Sequence, residues 1–375
     1  VSAAFPVSCA NARTCNNPTS TTDAKGNVSD YTYDSTHGGV LTVTLPAPVG
    51  GGVRPQTRYG YTPLQAYYKN SGGSIVASGI PVYKLTSVSS CMTTASCTGG
   101  ADETKTITSY GPQTAGVANS LLPVSSTSGS GDGALAATTA ATYDMIGNKL
   151  TVDGPLSGAA DTTRYRYDAG RQLVGVVGPD PDAGGVRPDV AQRTTYNVDG
   201  QVALRELGTV TDQSDPAWAA FSSQQQVATT YDTNSRVVKS ETKSGGTTYT
   251  LTQTSYDSLG RIDCIAQRMD PAQWAGQTVA CTPQTTGPSG PDRVTKTLYT
   301  AASEVQTVQT AYGTTDQANE ATNTYTSNGK LATLIDGEGN KTTYEYDGFD
   351  RVAKARFPDM TQGSGTSSTT DYVQP

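Results

Sequence analysis

The sequence predicts an all-β chain in which consecutive antiparallel β-hairpins stack into a spiralling, curved sheet of β-solenoid type, with one or two short surface helices. Three observations predict it. The apolar residues are of the kind that fit a pleated, half-buried surface, with 21 Tyr against 4 Phe in 375 residues. A tyrosine-aspartate unit recurs in frame along the chain. The copies run into turn-forming residues and then, in most of them six residues after the tyrosine, into an aliphatic residue.

The fullest copy is TSYDSLGRI, in which Tyr256 and Asp257 lead through Gly260 and Arg261 to Ile262. Relatives that keep the aspartate stand at Tyr31, Tyr33 and Asp34, at Tyr143 and Asp144, at Tyr165, Tyr167 and Asp168, at Tyr231 and Asp232, and at Tyr344, Tyr346 and Asp347. Copies at Tyr196, Tyr299 and Tyr325 keep the frame without the aspartate. Such self-similarity marks a repeat architecture before any single element is assigned.

The spelling of one unit has a physical reading. Tyrosines two residues apart lie on one face of a strand, and the Thr or charged residue between them faces the other way. The Asp, Asn, Ser and Gly that follow favour reversal, since Asp and Asn accept local backbone hydrogen bonds and Gly adopts positive φ without strain. Val202, Val237, Ile262, Val305, Leu331 and Val352, each six residues after its tyrosine, then open a return strand. One such hairpin is marginal in water, so copies must stack on their neighbours. Tyrosine suits the contact because its ring is apolar and its hydroxyl can find a partner.

Residues 1–140 read as an irregular early repeat region with long loops, linker-like over 111–133, and 141–375 as the regular array, together forming one continuous sheet. Two insertions, SDPAWAAF at Ser214 to Phe221 and MDPAQWAG at Met269 to Gly276, predict short helices, with Asp as cap and Pro at the first helical position. Trp218 and Trp274 are expected to pack down on the sheet. The pentapeptide GGVRP at Gly51 to Pro55 and again at Gly184 to Pro188 suggests equivalent loops.

A net charge of −7 and a pI near 4.8 repel a phosphate backbone, so nucleic acid is not an expected partner. No stretch approaches the ~18 consecutive apolar residues of a membrane helix, and the first ten residues lack the pattern of a signal peptide. The chain reads as part of a longer protein.

His37, the single histidine, lies in a predicted turn and is expected to be solvated; a triad or multi-histidine metal site has no other centre. The run DGEGN at Asp336 to Asn340 starts like a calcium loop but lacks the downstream glutamate, and reads as a reversing turn. No catalytic residue, cofactor site or metal site is assigned. The six cysteines fall into local pairs, Cys9 with Cys15, Cys91 with Cys97 and Cys264 with Cys281, spacings that do not suggest zinc and are read as three disulfides in an oxidising compartment.

The YDxxGR-like units, the TDxxGN-type turns at Asp23 to Asn27 and Asp336 to Asn340, and the paired tyrosines resemble the bacterial RHS/YD-repeat family, related to the shells of insecticidal toxin complexes and of teneurins. The resemblance runs over residues 20–356, more weakly between Tyr59 and Ala140. It implies a secreted or cell-surface bacterial protein whose β-shell encloses or presents a C-terminal effector, a toxin in many members, used in interbacterial or host competition. It also implies partners in the remaining repeats and that effector. The family's autoproteolytic motif, with two DPxG-like elements, has no counterpart: GPDPDAGG at Gly178 to Gly185 shares only the DP dipeptide.

The expected role is therefore a structural wall and not an enzyme. The alternative is an extracellular adhesin or carbohydrate-binding repeat module with a cell-surface glycan or protein as partner. Three intact disulfides predict that alkylation of the unfolded chain leaves its mass unchanged before reduction and adds six alkyl groups after it; uptake of six groups without reduction would contradict the pairing.

Overall fold

A computed structural model describes residues 2–48, 51–91, 93–94, 97–158 and 160–375. The fold is nearly all β and antiparallel, as the alternating tyrosine pattern requires, and it parts into two compact units. One unit holds residues 1–191 and 210–220, the other residues 192–209 and 221–375.

In the first unit, strands pair with their chain neighbours from Ser2–Ala4 to Leu173–Val177. One excursion interrupts the order: Gln56–Leu64 pairs with Val82–Cys91 around a separate small hairpin of Tyr67–Lys69 and Ile75–Ala77. Residues 111–133, expected as a linker, contain the strand Ser125–Ser130, which is paired on both edges. Its sequence, STSGS after the first Ser, hid it, because Ser and Gly are poor strand formers and only the two flanking strands hold it.

The second unit is the regular array. Ser222–Tyr231, Val237–Ser244, Thr247–Tyr256, Ile262–Arg268, Arg293–Tyr299, Val305–Thr310, Ala318–Tyr325, Leu331–Asp336, Lys341–Tyr346, Val352–Pro358 and Ser367–Val373 each pair with the next. Every aliphatic residue read as the start of a return strand is the first residue of one. The threonines just before the tyrosines face outward: Thr324 bonds Thr333 across the strand pair, as Thr32 bonds Thr42 and Thr142 bonds Thr151 in the first unit.

Among the described residues, fully buried apolar side chains are few, so the core is thin. In the second unit it gathers beneath the insertion 269–292, where Cys264, Ala266, Ala280 and Val294 pack together against Cys281 and Tyr312. The insertion is tied down twice. The Cys264–Cys281 disulfide closes its first half. Arg268, fully buried, bonds Asp292 at 2.7 Å, Gln253 and the carbonyls of Thr282 and Val279, while Asp292 also accepts the backbone N–H groups of Met269 and Gln284. Removing one partner of such a pair strands a buried charge, at a cost of about 3–5 kcal/mol.

Both predicted helices form. Asp215–Ala219 is a short α-helix capped by Ser214 rather than by Asp215, which lies in its first turn. Pro271–Gly276 is a 3₁₀ turn capped by Asp270. Trp218 packs against Gly175, where even one added carbon would meet the indole at 2.6 Å. Among the described residues, no helix is long and apolar enough to cross a membrane.

Candidate functional site

The repeated unit is itself the candidate site, and its letters have separable roles. In the turn after Tyr231, Asp232 Oδ1 accepts the backbone N–H groups of Asn234 and Arg236, both at 2.9 Å, and Oδ2 accepts Arg236 Nε at 2.8 Å. The same three bonds recur at Asp257 with Arg261 and at Asp347 with Arg351. At Asp23, Asp144 and Asp336 an asparagine four residues on replaces the arginine. The carboxylate thus serves as a template on which the turn closes. Both oxygens of Asp336 are engaged in this way, so the DGEGN run is a reversing turn.

The third residue after the aspartate takes positive φ. It is Gly260 in the fullest copy, but Arg171, Ser235, Ser303 and Asp350 occupy the same conformation at φ between 60° and 66°. That residue makes the bulge that ends a three-residue hairpin loop. Where the aspartate is missing, Asn197, Thr300 and Thr326 supply the accepting oxygen instead.

Electrostatics reinforces the template. The Arg236 side chain, then its backbone N–H, hold the Asp232 carboxyl below the usual range, and Arg351 does the same for Asp347. At Asp257 burial pushes the other way, but the backbone and side chain of Arg261 outweigh it.

The tyrosine links one hairpin to the preceding one. Tyr231, Tyr256, Tyr299, Tyr325 and Tyr346 donate their hydroxyls to the carbonyls of Val202, Val237, Ile262, Val305 and Leu331, at 2.7 to 3.0 Å. Each acceptor is the first residue of the preceding return strand. In the first unit Tyr33 and Tyr143 use the carbonyls of Pro18 and Pro123. At each tyrosine the strand register slips by one residue, as between Thr230 and Tyr231, where Val238 is the extra residue on the return strand. Arginine completes the junction: Arg236 lies over the Tyr256 ring at 4.2 Å and Arg261 over the Tyr299 ring at 4.4 Å.

The remaining sequence-selected residues fall into place around this pattern. Tyr31 bonds Thr21, and Tyr165, Tyr167, Tyr196 and Tyr344 are half-buried in their strands. Burial, then nearby Tyr165 and Asp144, raise the Tyr167 hydroxyl. Asp34 templates a turn one residue longer, and the Asp168 carboxylate accepts the Gln172 N–H. The cysteines are joined as Cys9–Cys15, Cys91–Cys97 and Cys264–Cys281.

Two expectations are corrected. His37 is not solvated: its side chain is 12% exposed, with ring centres of Tyr61 and Tyr83 at 4.6 and 4.5 Å. Those rings arrive on strands distant in sequence, so its turn setting gave no sign of them. The two GGVRP loops are not equivalent either. Arg54 bonds Asp30 and the carbonyls of Val28, Thr44 and Leu45, whereas Arg187 is exposed.

Sequence reasoning missed the arginine-carboxylate pairs that pin the insertions: Arg268 with Asp292, Arg58 with Glu103, and Arg164 and Arg166 with Asp215. The first left a trace, since Arg268 and Asp292 bracket the insertion they close.

Residues 325–359 match the RHS Repeat family model. That segment holds the Tyr325 hairpin, the DGEGN turn and the Tyr346 hairpin, and its unit recurs through the chain. Residues 325–359 thus carry an RHS repeat.

No curated protein matches the sequence. Among solved structures it is similar to the crystal structures of TcdB2-TccC3-TEV, at 12% identity and a TM-score of 0.35, and TcdB2-TccC3, at 14% and 0.29. Each alignment covers 94% of this chain but only 20% and 21% of those chains, so the chain spans about a fifth of their length.

Replacing Tyr256 with Phe removes one latch and leaves the Val237 carbonyl without its hydroxyl partner. A loss of about 0.5–1.5 kcal/mol is expected in denaturant unfolding. Unchanged stability would mean the hydroxyl bond is incidental.

Proposed function

We propose that this chain is a structural wall segment of an RHS-type secreted or surface-delivered protein, part of a β-shell that encloses or presents a C-terminal effector. The observation that carries this reading is the latch itself. A hydroxyl on one hairpin seated on the backbone of the one before makes each repeat a continuation of its neighbour, which is what a wall of indefinite length requires.

Two further features support it. The latch tyrosines are half-buried and bonded, and so are poorly placed to act as free stacking platforms; the more exposed aromatic residues, such as Tyr68, Tyr249 and Phe349, lie outside the latch positions. Three short-range disulfides suit a protein that works in an oxidising space.

The test is protection. Expressed together with the polypeptide encoded downstream of it, the wall should shield that segment from added protease, and the shielding should vanish once denaturant opens the sheet. Cleavage of the downstream segment at the rate of the free polypeptide, with the sheet intact, would remove the container role.

A further inference from the structure

Two of the arginine clusters differ in a way that points to a ligand. Arg268 is complete: each guanidinium nitrogen has an acceptor, and its carboxylate partner is as buried as it is. Arg164 and Arg166 are not. Both guanidiniums bond the same oxygen of Asp215, at 2.9 Å each, and that carboxylate is 78% exposed. The carbonyls of Gln213 and Ser214 take further bonds from them. Arg166 Nη1 is buried and meets no hydrogen-bond acceptor among the described residues.

Arg164, Arg166 and Asp215 line an open cavity of about 470 Å³ whose other walls include Thr151, Tyr165 and Trp218. Its charged lining is two cations and one anion, an excess of positive charge in a chain of net charge −7. Burial, and then the neighbouring Arg164, lower the basicity of Arg166 against the opposing pull of Asp215. A cation held largely out of water without a full countercharge is costly, and an incoming anion relieves the cost. Arg164, 35% exposed, stands where such an anion can reach it, and the Arg166 guanidinium lies 5.0 Å from the centre of the Trp218 ring.

We propose that the Arg164–Arg166 cavity is a binding site for an oxyanion, a carboxylate or a sulfate or phosphate group, which takes up the guanidinium edges that Asp215 leaves unpaired. Guanidiniums favour such groups through paired, charge-assisted hydrogen bonds. The site is independent of the wall function, since it needs only the strands Lys149–Asp153 and Thr163–Tyr167 and the helix that carries Asp215.

Trp218 reports on it once Trp274 is replaced by Phe, which leaves a single tryptophan. Titration of this chain with sodium sulfate, sodium phosphate or sodium glucuronate at constant ionic strength should give a saturable change in fluorescence, with glucose and sodium chloride giving none. Saturation by sulfate or phosphate alone identifies a tetrahedral oxyanion, and by glucuronate alone a sugar carboxylate; either supports the site. Arg164→Gln should weaken binding about tenfold or more. Asp215→Asn, which removes the competing negative charge, should tighten it several-fold, a gain that a misfolded variant does not produce. The proposal is overturned if none of the three anions saturates, if chloride gives the same response, or if Arg164→Gln binds as well as the parent.

Discussion

The structure depends on a hydrogen bond that crosses from one repeat to the one before: a tyrosine hydroxyl seated on the first carbonyl of the preceding return strand. Strand ladders satisfy backbone groups along their length, but a ladder that ends at a turn leaves an acceptor at its rim, and buried or half-buried acceptors are costly to leave unmade. The latch fills that place and buries an aromatic ring beside it. Because the strand register slips at the same residue, the tyrosine stands at the junction between strand, turn and neighbour.

The other letters of the repeat follow from this requirement. In the regular array the latch is followed by a turn of one shape. The aspartate sets that shape by collecting the backbone N–H groups two and four residues on. Glycine supplies the left-handed residue. At Asp232 and Asp257 the arginine locks the second carboxylate oxygen and then roofs the tyrosine ring of the next copy, so those two turns also organise their successors. Degenerate copies survive because Asn or Thr offers one accepting oxygen, which is all the backbone template needs.

This division explains what was legible in the sequence. The strands around Tyr231, Tyr256, Tyr325 and Tyr346, and the first residue of each return strand, were readable because every determinant lies within ten residues. The latch acceptors were harder to see, since a backbone carbonyl has no letter of its own. His37 was misread for the same reason: its neighbours Tyr61 and Tyr83 come from strands that local spacing does not bring together. The strand Ser125–Ser130 was lost because its residues have no strand preference and its two neighbours impose the form. Arginine clusters such as Arg164 with Arg166 read as ordinary outward positions until the insertion bearing Asp215 folds back over them.

Nearest-neighbour coupling is the core of the account, and hydrogen exchange on the Tyr256→Phe chain measures it most directly. Protection should fall in the strands that meet at the lost latch, Val237–Ser244 and Thr247–Tyr256, and hold in Lys341–Tyr346 and Val352–Pro358. An equal loss of protection across the whole of that unit would mean that it is held by one shared core, and the latch would not be what joins the repeats.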